Sequence, residues 1–119
     1  MTLEWEQVIV DSADPVALGR WWAEALGWVV VGEAPDEFEI RPEKDRMPGL
    51  LFVPVPEAKT VKNRLHLDVN PTDREQDDEV RRLLELGARR VDVGQGDPSW
   101  VVLADPEGNE FCVLEGRHP

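Results

Sequence analysis

The pattern of hydrophobic and polar positions divides the chain into two similar halves. In the first half, the segment 7–15 predicts a strand that runs into a turn and a helix cap. An apolar stripe then predicts a helix over about 15–26. Three strand-like runs follow, at 28–32, 36–41 and 49–55. The first half therefore predicts the element order βαβββ.

The second half repeats this pattern at an offset of about 59 residues. Its first strand lies in 66–73, and its helix ends at Gly87 as the first helix ends at Gly27, each glycine being suited to a left-handed C-cap. Three further strand-like runs follow, at 89–93, 99–104 and 109–115. The repeat predicts a single domain over 1–119, made of two modules at about 1–57 and 63–117.

Capping residues support both predicted helices. Asp14 or Ser12 caps the first helix, and Pro15 suits its first turn. Thr72 and Glu75 have the spacing of a capping box for the second helix. In the last hairpin, the turn "DPEGNE" at 105–110 combines a proline with a glycine that tolerates positive φ. A ferredoxin-like βαββαβ sandwich is the alternative fold, but four strand-like runs in each half favour two βαβββ modules.

Charge and composition narrow the function classes. The chain of 119 residues has 25 acidic and 13 basic residues, a net charge of −12 that disfavours nucleic acid and anionic membrane surfaces as partners. Its apolar runs are too short to span a bilayer, and its first residues lack the features of a signal peptide. A single cysteine, Cys112, excludes an internal disulfide and fits a reducing compartment. We therefore expect a cytoplasmic protein.

Four stretches carry a resemblance to a known family. The segments "QVIVDSADPVALGRWWAEALGW", "RLHLDVNPTD", "LLELGA" and "VLADPEGNEFCVLE" are similar to the glyoxalase-like subset of the glyoxalase/bleomycin resistance/dioxygenase (vicinal oxygen chelate) superfamily. The resemblance implies an α+β fold in which two βαβββ modules form a curved eight-stranded mixed sheet. It also implies a cup-shaped small-molecule site and often a homodimer.

The resemblance further implies a single divalent metal ion, bound from the first and last strand of each module. Motif spacing carries these ligand positions onto Gln7, Val53, His66 and Cys112. Val53 cannot bind a metal, and Cys112 stands where the metal-dependent relatives have glutamate, so the site looks incomplete or without metal. Glu110 shares the strand face of Cys112 by the period of two and is an alternative ligand or a general base.

Other residues are candidates for substrate binding. Trp5 and Trp100, predicted on strands, can stack a planar apolar ligand. Asp68 shares the face of His66 and adds a hydrogen-bond acceptor. Either Arg64 or Arg41 can hold an anionic group.

Two functional hypotheses follow from these residues and the resemblance. In the first, the chain is a metal-assisted lyase or isomerase that acts on a small oxygenated or carbonyl compound, with Glu110 moving the proton. In the second, it is a non-catalytic protein that binds and sequesters a small molecule such as an antibiotic. Whether the chain is an enzyme is left open at this point, because a shared fold does not settle function.

Overall fold

The computed structural model describes residues 2–92, 94 and 99–116. The chain folds as two compact units, Met1–Ala58 and Lys59–Pro119. We call them the first and the second unit.

The first unit has one helix and one four-stranded sheet. The strand order is β1-β4-β3-β2, in which β1 pairs with β4 in parallel and the other pairs are antiparallel. The elements are β1 (Gln7–Ser12), α1 (Pro15–Leu26), β2 (Val29–Ala34), β3 (Glu37–Arg41) and β4 (Gly49–Pro54).

The second unit repeats this topology in its described residues. The strand order is β5-β8-β7-β6, with β5 and β8 parallel and the other pairs antiparallel. The elements are β5 (Leu67–Val69), α2 (Gln76–Leu86), β6 (Arg89–Arg90), β7 (Val101–Ala104) and β8 (Glu110–Val113). The predicted α+β fold class with two βαβββ modules is confirmed, as two four-stranded mixed sheets.

The ends of α1 follow the predicted capping. Asp14 is the N-cap, and its Oδ1 accepts a hydrogen bond from the Ala17 amide at 3.2 Å. Ser12 Oγ accepts from the Asp14 amide at 3.0 Å and so supports the same turn. Gly27 ends the helix with a φ of 69°, and Gly87 ends α2 with a φ of 118°, both in the left-handed region.

The start of α2 differs from the prediction. The helix begins at Gln76 after Glu75, whose side chain makes no capping hydrogen bond, so the capping box of Thr72 with Glu75 is wrong. The start is stabilised in two other ways. Acidic residues in the first turn complement the helix dipole, and Gln76 Nε2 donates to the carbonyl oxygens of Ser99 at 2.9 Å and Val113 at 3.0 Å.

The core of the first unit lies between α1 and one face of its sheet. Leu18 and Trp22 of the helix are buried, as are Phe38 and Phe52 of the sheet. The helix approaches β3 closely at Gly19, where an added Cβ atom would lie 2.8 Å from Cγ of Phe38. In the second unit, the buried apolar side chains include Val80, Leu83, Leu103, Phe111 and Val113.

A buried aspartate, which the sequence pattern did not predict, organises the turn before β8. Asp105 is fully buried, and its Oδ1 accepts hydrogen bonds from the amides of Glu107 and Asn109, each at 2.9 Å. The Asn109 side-chain amide donates to Oδ2 at 3.0 Å. Gly108 has a φ of 92°, as the predicted turn requires. This turn sets the point at which β8 begins.

Candidate functional site

The candidate site lies on one face of the second sheet. Cys112 of β8 is paired with Asp68 of β5 on one side and with Val102 of β7 on the other. Directly paired residues project to the same face of a sheet, and so do residues two positions apart along one strand. Glu110 therefore shares this face with Cys112, whereas Phe111 projects to the opposite face.

His66, Asp68 and Cys112 form a group of potential metal ligands, which we call the donor cluster. One ligand atom of each residue lies within 4.8 Å of the corresponding atoms of the other two. His66 Nε2 lies 3.4 Å from Asp68 Oδ1. Cys112 is buried, whereas the side chains of His66 and Asp68 are 43% and 52% exposed, so the cluster is open to a ligand on their side.

The environment of Cys112 keeps its thiol protonated. Burial raises the pKa of the thiol, and the charge of Asp68 and a hydrogen bond to that carboxylate raise it further. The positive charge of Lys62 acts in the opposite direction. Without a metal, the group is therefore a neutral thiol beside a carboxylate, which is a poor nucleophile.

The hydrogen-bond partners of Glu110 are residues that do not belong to the donor cluster. Its Oε2 accepts a hydrogen bond from Lys59 Nζ and its Oε1 accepts one from the Asn63 amide, each at 2.8 Å. Burial alone would raise the pKa of Glu110, but these two hydrogen bonds, a third from its own backbone amide and the charge of Lys59 together hold the pKa below the ordinary value of 4.5. Each oxygen is engaged and the group is a weak proton acceptor, which disfavours a role as general base or metal ligand.

The donor cluster fits a borderline metal ion such as zinc. A thiolate and an imidazole with one carboxylate oxygen make a tetrahedral set with one open position, a common zinc arrangement. The bond lengths usual for zinc place neighbouring donors roughly 3.4–3.8 Å apart. The His66–Asp68 distance of 3.4 Å falls in this range, and closing the remaining pairs, which lie within 4.8 Å, would require shifts of at most about 1.4 Å.

The first unit lacks the corresponding donors. Asp11 is paired with Val53 in the parallel pair β1–β4, as Asp68 is paired with Cys112 in β5–β8. Two positions before Asp11 stands Ile9, which therefore corresponds to His66. Of these first-unit positions, only the aspartate retains a metal-binding side chain.

This register moves the predicted correspondence by two residues. Motif spacing matched Gln7 with His66. Gln7, however, is paired with Gly49 and lies four residues before Asp11, whereas His66 lies two residues before Asp68. A ligand role for Gln7 stays a prediction, and the symmetry of the two sheets does not support it.

The predicted substrate contacts are placed as follows. Trp5 lies before β1 and is 65% exposed, and Trp100 lies before β7, so the expectation that both are on strands is wrong. Arg64 is exposed in the segment that leads to β5. Arg41, the alternative anion-binding residue, is engaged by Glu39 in an ion pair of 2.9 Å. Substrate binding by these residues stays a prediction.

Sequence reasoning missed the segment ahead of β5. Residues 59–66, which we call the anchored loop, are tied to β8 through Lys59, Asn63 and Glu110. The sequence signal for this segment is its polar run "KTVKNR" at 59–64, which overlaps the gap between the two predicted modules at about 1–57 and 63–117.

Solved structures of other proteins share this fold at low sequence identity. A structure of a glyoxalase/bleomycin resistance protein/dioxygenase family enzyme from Burkholderia phytofirmans PsJN is 18% identical, with a TM-score of 0.69 and coverage of 93% of this chain and 97% of that one. The fosfomycin resistance protein FosX from Mesorhizobium loti is 14% identical, with a TM-score of 0.71 and coverage of 98% and 94%.

The family model described as Glyoxalase-like domain matches residues 7–114, and the chain belongs to this family. No curated protein matches the chain. The structural likeness, at these identities, shows the fold alone. Within the described residues, no helix combines the length and the apolar composition that a membrane crossing needs.

Proposed function

We propose that this chain binds a small oxygenated or carbonyl compound and acts on it as a metal-assisted lyase or isomerase of the glyoxalase type. The donor cluster would hold one divalent metal ion. The observation that carries this proposal is the approach of an imidazole nitrogen, a carboxylate oxygen and a thiol sulfur to within 4.8 Å of one another on one sheet face.

The donor types favour zinc over harder ions. FosX from Listeria monocytogenes, another protein of this fold with 11% identity and a TM-score of 0.71, was solved with Mn(II) and 1S,2S-dihydroxypropylphosphonic acid. In the present chain the cysteine favours a softer metal than manganese. When bound, such a metal polarises a substrate oxygen and stabilises the negative charge that develops on it.

The chain's own residues then have separate tasks. His66 and Asp68 would hold the metal ion from the exposed side of the site and leave it accessible to a ligand oxygen or water. Cys112 loses its proton upon metal binding, which makes the affinity depend on pH. Glu110 holds the anchored loop, so proton transfer would fall to a group on the substrate or to bound water.

A second candidate function is sequestration of a small molecule without turnover. The specific observation that favours it is the engagement of both Glu110 oxygens at 2.8 Å, which removes the carboxylate best placed for proton transfer. A sequestering protein needs a ligand site but no general base. Both functions require a small-molecule ligand, and neither requires nucleic acid or membrane.

Cobalt(II) titration tests the metal site directly. A cobalt–thiolate bond produces a charge-transfer band in the near ultraviolet, which reports on sulfur ligation independently of activity. We expect this band in the wild-type protein, its loss in Cys112→Ser, and at least tenfold weaker binding in His66→Ala. Asp11→Asn changes the corresponding aspartate of the first unit and should bind as the wild type does. His118→Ala controls for the chain's other histidine.

A wild-type protein without the charge-transfer band would overturn the metal site. If the band appears, the zinc-loaded protein is incubated with a panel of small hydroxy and carbonyl compounds, and ligand-observed NMR separates turnover from binding. New product signals support the lyase or isomerase, whereas saturation transfer to an unchanged compound supports sequestration.

The proposal also includes the oligomeric state and the location of the protein. We expect a single domain that forms a homodimer, as the family resemblance implies, and a cytoplasmic location, as the composition and the single cysteine indicate. Sedimentation velocity at micromolar concentration would measure the oligomeric state, and a purely monomeric protein would contradict this part.

A further inference from the structure

The anchored loop leads directly into His66, the histidine of the donor cluster. We propose that Glu110 is a positioning residue, which holds this loop and thereby fixes the backbone of His66 for metal binding. This inference rests on the proposed metal site, and it gives a task at that site to a carboxylate that is not in the donor cluster.

The chain is attached to β8 on both sides of His66. Before it, the Asn63 amide donates to Glu110 Oε1 at 2.8 Å. After it, Leu67 is paired with Phe111, which directly follows Glu110 in β8. This short segment therefore starts and ends at adjacent positions of one strand. A short segment that is closed at both ends has few alternative backbone conformations, so both attachments restrict where the imidazole can lie.

A second hydrogen bond holds the same carboxylate. Lys59 Nζ donates to Glu110 Oε2 at 2.8 Å, in an ion pair whose side chains are 20% and 15% exposed. In the described part of the chain, this bond and that of Asn63 are the hydrogen bonds that connect residues 59–65 to a strand. Because both involve Glu110, one side chain determines where the anchored loop lies relative to β8.

His66 has little other support for its position. The strand that follows it, β5 (Leu67–Val69), is short, and the His66 side chain is 43% exposed. Its neighbour in the cluster, Asp68, is 52% exposed. Cys112, by contrast, is buried and paired with a strand on either side. Loss of the Glu110 contacts should therefore displace His66 more than Cys112.

Anchoring and charge predict opposite effects when Lys59 is replaced by methionine. Loss of a positive charge alone would strengthen the binding of a cation. Loss of a hydrogen bond that holds the loop should weaken binding, because His66 is then less well positioned. Lys62→Met is the matched control. Lys62 is exposed in the same loop, and its Nζ donates to the Asn63 carbonyl within that loop, so this variant removes the same charge without releasing Glu110.

Cobalt(II) affinity, followed by the charge-transfer band, tests the proposal. It is measured in the wild type, Lys59→Met and Lys62→Met, each with and without His66→Ala. We expect Lys59→Met to weaken cobalt binding about tenfold while the sulfur band is retained, and Lys62→Met to bind at least as tightly as the wild type. With His66→Ala, Lys59→Met should cause no further weakening, since the positioned ligand is absent.

Near-ultraviolet circular dichroism checks that each variant is folded. Glu110→Gln provides a second variant if Lys59→Met does not fold. It loses the ion pair but keeps an oxygen for the Asn63 amide, so it should weaken binding about fivefold, and less when His66→Ala is also present.

Three results would overturn the role of Glu110. They are unchanged or tighter cobalt binding by Lys59→Met, equal weakening by Lys62→Met, and the same weakening by Lys59→Met when His66→Ala is present. A wild type without the charge-transfer band would instead refute the proposed metal site, and this inference with it.

Discussion

Asp11 and Asp68 occupy the same position in two copies of one sheet. Asp11 is paired with Val53 in the parallel pair β1–β4, and Asp68 is paired with Cys112 in the parallel pair β5–β8. The two aspartates have the same position in their strands, but Asp11 has an apolar valine beside it and Asp68 has a cysteine. The candidate metal site therefore uses donors of the second unit, and Asp11 provides an internal control for Asp68.

The first prediction concerns the Cys112 thiol in the metal-free protein. Burial and the neighbouring Asp68 both raise the pKa of this thiol. Asp68→Asn removes the negative charge, so the pKa should fall, whereas Lys62→Gln removes a positive charge and should raise it. The ultraviolet absorbance of the thiolate as a function of pH measures both changes. Asp11→Asn should leave the titration unaltered, and equal titrations in all variants would contradict the geometry of the cluster.

The second prediction concerns the carboxylate that ties the anchored loop to β8. Glu110 has a folded-state pKa below its ordinary value of 4.5, so its contribution to stability is complete above that value and is lost as the pH falls through the folded pKa. Glu110→Gln should lower the free energy of unfolding at pH 7 by about 1–3 kcal/mol, because charge-assisted hydrogen bonds are lost from a side chain that is only 15% exposed.

Urea unfolding at neutral and at acidic pH measures this effect. The difference between Glu110→Gln and the wild type should narrow under acidic conditions, where the wild-type carboxyl is also neutral. Glu57→Gln, at an exposed position, serves as the control and should show little difference at either pH. A double-mutant cycle with Lys59→Met isolates the ion pair, and a coupling energy near zero would contradict its contribution.

The third prediction concerns the contact between α1 and β3. Replacing a helical glycine by alanine ordinarily stabilises a helix by about 1 kcal/mol. At Gly19 the added Cβ atom would lie 2.8 Å from Cγ of the fully buried Phe38, so Gly19→Ala should instead destabilise the protein by about 1–3 kcal/mol. Denaturant unfolding checks the sign of the change.

A smaller side chain at position 38 tests the cause. In a Phe38→Ala background, Gly19→Ala should be neutral or stabilising, since the Phe38 atoms that the added Cβ meets are gone. A destabilisation of the same size in both backgrounds would mean that the contact with Phe38 is not responsible.

Much of the fold was predictable because both halves of the repeat contain local capping and turn residues that mark where helices begin and end. Asp14 and Pro15 begin the first helix, and Gly27 and Gly87 end the two helices, as the sequence pattern predicts. These residues act through backbone preferences that need no knowledge of distant contacts. The strand alternation that places Glu110 and Cys112 on one face is local in the same sense.

The correspondence between the two units was not predictable at single-residue precision. The offset is 57 residues between Asp11 and Asp68 but 60 between Gly27 and Gly87, because α2 begins later after its strand than α1 does. One average offset placed Gln7 opposite His66, whereas the register assigns that position to Ile9. The start of α2 depends on Gln76 bonding to distant carbonyls, which sequence spacing does not reveal.

The hydrogen-bond partners of the carboxylates could not be predicted from local sequence patterns either. Glu110 looked available for catalysis because its strand position was known, but its partners Lys59 and Asn63 lie about fifty residues earlier in the chain. Asp105 looked like an ordinary turn residue, yet it is fully buried and accepts several hydrogen bonds. Such assignments depend on which segments meet in the folded unit.

Strand β8 is held by side chains at both of its ends. Glu110 at its start bonds to the anchored loop, and the carbonyl of Val113 at its end accepts from Gln76 of α2. Cys112 lies between these two attachments and is paired with β5 and β7 on either side. In the proposed metal site, the thiol would therefore be presented to the metal ion by a preorganised backbone. Such binding would cost little main-chain entropy, and most of the adjustment would fall on the two exposed donors, His66 and Asp68.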